Sequence, residues 1–116
     1  MYITAKFQEE GWHHWPEAPN YLVFPHRHIF HFTIKMAVTE ANRQVEFIDF
    51  KREWQNFIRD SFAGTEQKPM HYSCEQIGLH LAKAIFTKYN SEVSVWVEED
   101  GENGAIVSTE DLEFYE

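Results

Sequence analysis

From His26 to Val38 the chain keeps a two-residue rhythm, with His26, His28, Phe30, Phe32, Ile34, Met36 and Val38 on one side and Arg27, His31, Thr33 and Lys35 on the other. Side chains alternate across a strand, so this segment reads as a strand with one apolar and one wetter face. Its apolar face begins with two histidines. Met1 to Phe7 alternates well enough for another strand, after which Gly11 and WHHWPEAPN, with two prolines, predict a loop. EANR reads as a turn, and RQVEFIDF as a strand that returns beside His26–Val38 in a hairpin, with Val45 and Phe47 on one face.

The period then changes. Phe50, Trp54, Phe57, Ile58 and Phe62 follow helical spacing, with Asp49 as the expected cap and Gly64 as the stop. After a polar connection through Pro69, Ser73 and Gln76 are spaced for a capping box, and Ile77, Leu81, Ala84, Ile85 and Tyr89 supply the buried stripe of a second helix. EVSVWVEE restores the period of two, placing Val93, Val95, Val97 and Glu99 on one face and Ser94, Trp96 and Glu98 on the other. DGENG is a turn signal, and AIVS a strand beyond it. The order is β-β-α-α-β-β, an α+β arrangement, with no internal repeat and a charged C-terminal tail expected to fray.

Composition narrows the picture. With 116 residues and 43% hydrophobic content, the chain can bury one ordinary core, which predicts a single domain over residues 1–116. A formal net charge of -9, with no basic cluster to offset it, repels a phosphate backbone and argues against nucleic acid as a partner. No window approaches the roughly 18 apolar residues of a membrane span, and MYITAKFQEEGW lacks the apolar run of a secretory signal. The single cysteine, Cys74, excludes an intrachain disulfide and suits a reducing compartment, so a cytoplasmic setting is expected. Aromatic residues make up 16% of the chain, a hint of burial against a partner subunit or ligand, with an aromatic-rich core as the alternative.

Two histidines one residue apart on a strand point to the same side, with Cα atoms roughly 7 Å apart, so His26 and His28 can converge on one ion. A third nitrogen can come from His13 or His14, leaving the fourth position of a tetrahedral zinc to water or substrate. An HxH pair also arises by chance; against that stands its place on an apolar face, where an imidazole needs a partner to offset desolvation. His31 falls on the opposite face and His80 at the edge of a helical stripe, where packing is the expected role. His71 lies in a polar connection and is assigned none. Glu99 continues the face of Val93, Val95 and Val97, where a carboxylate can accept two parallel N–H bonds from the edge of a pterin or guanine; the alternative is that EEDGE is a solvated acidic turn.

These residues together resemble the family of 6-pyruvoyl- and 6-carboxy-tetrahydropterin synthases over most of the chain. The element order is that of the family's subunit, the tunnelling fold. HHWP resembles its first histidine motif, HRH in PHRHIFHF its HGH, VEFIDFKREW its approach to the first helix, YSCEQIG its start of the second helix, and VWVEED the strand whose glutamate anchors the pterin ring. The resemblance implies a four-stranded antiparallel sheet with two helices on one face, and sheets of several subunits joined into a barrel, as a trimer or a multiple of it. It implies zinc held by His13, His26 and His28, with His14 in reserve, and a pterin or purine-type ligand held by Glu99 and by Ser73, Cys74 and Glu75.

Two departures bear on activity. The family's catalytic cysteine lies four residues before the first histidine of HGH, and Leu22 stands there, without acid-base capacity. The Asp-His pair that assists it has no counterpart in DSFAGTEQKPMHYS. Cys74 is the remaining thiol, at a helix N-terminus where the dipole can lower its pKa, with a purely structural cysteine as the alternative. Three readings follow: a zinc-dependent lyase of the tetrahydropterin synthase type, a non-catalytic relative that sequesters a purine nucleotide or signalling molecule, and a structural oligomerising module.

Overall fold

The strand with the clearest alternation, β2 (His26–Ala37), runs through the interior of a four-stranded antiparallel sheet in a computed structural model that describes residues 1–114. β1 (Tyr2–His13) pairs along its whole length on one side, from Tyr2 opposite Ala37 to His13 opposite His26. On the other side β3 (Val93–Glu99) pairs from Met36 opposite Val93 to Phe30 opposite Glu99, and β4 (Asn103–Ser108) follows as the far edge. Between β2 and β3 the chain runs through α1 (Phe47–Phe62) and α2 (Cys74–Tyr89). Two helices of equal length go out and back, each about 24 Å. They return the chain to the end of the sheet it left, so β3 can only run antiparallel to β2.

Both helices pack on one face, α1 over β1 and α2 over β3 and β4. The buried face of β2 is the one that the alternation marks: Phe30, Phe32, Ile34 and Met36 are buried. Phe32 stacks on Phe7 of β1 with centroids 4.9 Å apart. Val93, Val95 and Val97 meet Ile77, Leu81 and Ile85 of α2 in the same core. The capping box is present, with Ser73 Oγ accepting from the Gln76 amide at 3.1 Å and Gln76 Oε1 accepting from the Ser73 amide at 2.9 Å.

Four expectations need correction. β1 does not stop at Phe7 but runs through Gly11 to His13. The alternation is masked because Glu9 takes an inward position beside α1, where its carboxylate meets Arg59 Nε at 2.7 Å and Gln55 Nε2 at 3.2 Å. Gly11 continues that face, and a Cβ there would come within 2.6 Å of the Ala63 carbonyl, so glycine lets the end of α1 approach the strand. RQVEFIDF does not form a strand: both edges of β2 are occupied, by β1 and β3, and the segment is a turn over 43–46 followed by the first residues of α1. Asp49 lies in the first turn of α1, and the cap is Glu46, whose Oε1 accepts from the Ile48 amide at 3.0 Å. Much of the charged tail does not fray: Thr109–Phe114 forms a short 3-10 helix held by Asp111, which accepts from the Ser108 amide at 2.9 Å, and Leu112 is buried. The final two residues of that tail lie outside the described residues. Among the described residues no helix is long and apolar enough to cross a membrane.

Candidate metal centre

Strand register brings the histidines together. Inward positions of β1 are odd-numbered and those of β2 even-numbered, so His13, opposite His26, and Gly11, opposite His28, leave three imidazoles on one face at one end of the sheet. Ring centroids are 4.4 Å apart for His13 and His26, 4.8 Å for His13 and His28, and 5.0 Å for His26 and His28. One nitrogen from each ring lies within 4.8 Å of the other two. His14 points elsewhere, its Nδ1 lying 3.3 Å from the Val23 carbonyl. His13 is further fixed by a bridge to Met70 in the connection between the helices, with the Met70 amide donating to the Trp12 carbonyl at 2.9 Å.

The hydrogen bonds around the rings select the free nitrogens. His26 Nδ1 lies 2.9 Å from the Phe24 carbonyl, and His28 Nδ1 2.6 Å from Asp100 Oδ2. Both partners are acceptors only, so each Nδ1 carries a proton and Nε2 is the nitrogen that each ring turns to the cluster. Oriented imidazoles of this kind, each held through its outer nitrogen, are the usual supporting arrangement of metal-ligating histidines. His13 Nε2 is buried and has no hydrogen-bond partner. A buried polar atom without a partner costs about 1–3 kcal/mol, and an ion at the cluster would supply what it lacks. Burial pushes the His13 pKa down, with His26 and His28 adding to the effect and Glu99 and the Tyr72 backbone opposing it. The ring therefore stays neutral, and available as a ligand, at a lower pH than an ordinary histidine.

Asp100 joins the site from the turn between β3 and β4, a role that the sequence does not announce. DG supplies the two positive φ angles, 56° at Asp100 and 70° at Gly101, and the Glu102 amide donates to the Glu99 carbonyl at 3.0 Å, the geometry of a tight primed hairpin turn. That turn sets Asp100 against β2, where Oδ1 accepts from the Ile29 amide at 2.9 Å and Oδ2 orients His28. The His28 hydrogen bond, with the Ile29 amide behind it, holds the Asp100 carboxyl below its usual range. The sequence shows a carboxylate in the turn directly beyond Glu99, but its place across from His28 comes from the pairing of β2 with β3.

Glu99 lies on the inward face with the histidines, Oε2 being 3.3 Å from His28 Nε2 and Oε1 3.9 Å from His13 Nε2. Cys74 Sγ lies 3.7 Å from Glu99 Oε1. The expectation of a lowered thiol pKa is not met. Burial, then the charge and hydrogen bond of Glu99, push Cys74 up to about 12, more than the start of α2 can offset. Cys74 is therefore expected to resist alkylation by iodoacetamide at pH 8 in the native protein and to react fully in denaturant. Rapid labelling of the folded chain would contradict this environment.

The cluster opens into a cleft of about 960 Å³. Ser73, Cys74, Glu75 and Glu99, the four residues expected to hold a ligand, all line it, as do His14 and Leu22. Trp15, Tyr21, His71 and Tyr72 give it an aromatic wall that the sequence reading did not assign, and His71 stacks on Tyr72 with centroids 5.0 Å apart. His80 is exposed and does not line the cleft, its ring centroid 5.3 Å from that of Phe62. His31 lies on the far face beside Gly101. In comparisons with known proteins, no family model and no curated protein matches the chain.

Proposed function

We propose that this chain is a tunnelling-fold protein of the tetrahydropterin synthase type, which holds zinc through His13, His26 and His28 and binds a pterin- or guanine-type ring in the adjoining cleft. The observation that carries the reading is the convergence of three imidazoles, two of them oriented through Nδ1 and the third with a buried and unpartnered Nε2, at the base of an aromatic-walled cleft. Zinc bound there would polarise an oxygen of the ligand. The chain's own residues would do the rest: Asp100 and the Phe24 carbonyl fix the ring orientations, the aromatic wall offers faces for stacking, and Glu99 offers a carboxylate to a ring N–H edge. Among the described residues the outer edge of β4 and much of that of β1 are unpaired, and pairing between copies into a closed trimer or larger ring would remove them. A cytoplasmic setting belongs to the same reading.

A second reading, sequestration of a purine-type ligand without chemistry, is favoured by the thiols: Leu22 stands where the family's nucleophile would be, and Cys74 is held protonated by burial. The zinc-loaded chain separates the two. Turnover of dihydroneopterin triphosphate supports the lyase, and guanine-type binding without turnover supports sequestration. If the loaded protein neither converts that substrate nor binds guanine or pterin compounds, both readings fail.

A further inference from the structure

We propose that Glu99 is the fourth ligand of the ion, closing the site as three imidazoles and one carboxylate until a bound small molecule draws that carboxylate away. The inference rests on the metal reading above and goes beyond it, because a ring anchor and a metal ligand use the same two oxygens.

The distances carry the argument. Ligand atoms about 2.0–2.2 Å from a tetrahedral zinc lie roughly 3.3–3.6 Å from one another along the edges of the tetrahedron. Glu99 Oε2 stands 3.3 Å from His28 Nε2, one such edge, while the other oxygen, Oε1, stands 3.9 Å from His13 Nε2, so a small turn of the carboxylate would be needed to bring one oxygen against both rings. Register explains why this carboxylate reaches so far in: Glu99 pairs with Phe30, one inward position from His28, so its side chain leans over the cluster from the neighbouring strand. The thiol of Cys74 donates towards Oε1, the oxygen nearer His13, and leaves Oε2 against His28.

Charge points the same way. Three neutral imidazoles leave a divalent ion its full charge in a half-buried place, His13 being 13% and His28 20% exposed at the side chain. One carboxylate halves that charge and satisfies the preference of zinc for a tetrahedral set of nitrogen and oxygen donors. A planar ligand that offers parallel N–H donors to Glu99 competes with the ion for it, so ring recognition and the opening of a coordination position become one event. Simple anions offer no such donors and should be kept out.

Cobalt(II) in place of zinc tests this on the full chain, with thiocyanate as the exogenous probe and visible absorption as the readout. Wild type, Glu99→Ala and Glu99→Gln are first compared by circular dichroism to establish that each is folded. Wild type is expected to take up cobalt at least about 10-fold more tightly than either variant, since even supporting residues of metal sites are worth 10–100-fold. Its spectrum should be unmoved by thiocyanate at concentrations that shift the spectrum of Glu99→Ala. Equal affinity and an equal thiocyanate response in all three proteins overturn the role of Glu99 while leaving the three-histidine site standing. Failure of wild type to bind cobalt or zinc at all overturns the metal reading, and this inference with it.

Discussion

Replacing His13 by Ala is expected to weaken zinc binding by more than about 100-fold, measured by competition with a chromophoric chelator, while the chain remains folded. The bound rests on the 10–100-fold cost of losing a merely supporting residue, which loss of a ligand should exceed. His13 is the most informative of the three because its Nε2 is buried with no hydrogen-bond partner. Removing the ring deletes one ligand and relieves one unsatisfied buried atom, so the metal-free variant should be no less stable than metal-free wild type by more than the loss of packing against Phe30. His14→Ala, one residue away, should bind zinc as wild type does, because its ring turns towards Val23. Equal zinc affinity in His13→Ala and wild type would remove His13 from the site. Acid should release the ion as the ligands protonate.

Phe32→Ala should cost about 3–5 kcal/mol of stability, the usual range for emptying a core phenylalanine site. Phe32 is 2% exposed, stacks on Phe7 and lies in register with Phe7 on one side and Val97 on the other, so the cavity would open in the middle of the sheet with no mobile neighbour to fill it. A domain of this size has a total stability on the order of 5–15 kcal/mol, so the variant should unfold at much lower urea, with an unchanged slope. Phe32→Leu keeps most of the volume and should cost far less. The comparison needs a fixed protein concentration, because association between copies would add to apparent stability. A loss under about 1 kcal/mol for Phe32→Ala would contradict this placement of the core.

Much of the architecture was legible because local signals agreed with tertiary demands. The period-two run at His26–Val38 is the apolar face of β2, and the Ser73 to Gln76 spacing is a real capping box. The failures have identifiable causes. Phe47 fits a two-residue pattern with Val45 and a helical one with Phe50, and only the occupation of both edges of β2 decides between them. Glu9 interrupts the inward face of β1 because Arg59, fifty residues later, satisfies it there. The ends of β1 set the site as well: once the strand runs to His13, alternation alone chooses His13 over His14. Asp100 was out of reach for a different reason. Its role comes from the pairing of β2 with β3, which no local pattern contains.

Elemental analysis of the protein purified without added metal or chelator, paired with thermal unfolding before and after chelation, decides whether the His13, His26 and His28 cluster holds a metal. About one zinc per chain is expected, with a clear fall in unfolding temperature on its removal and recovery when zinc is restored. Protein that carries no zinc, takes none up, and unfolds at the same temperature with and without chelator would contradict the account.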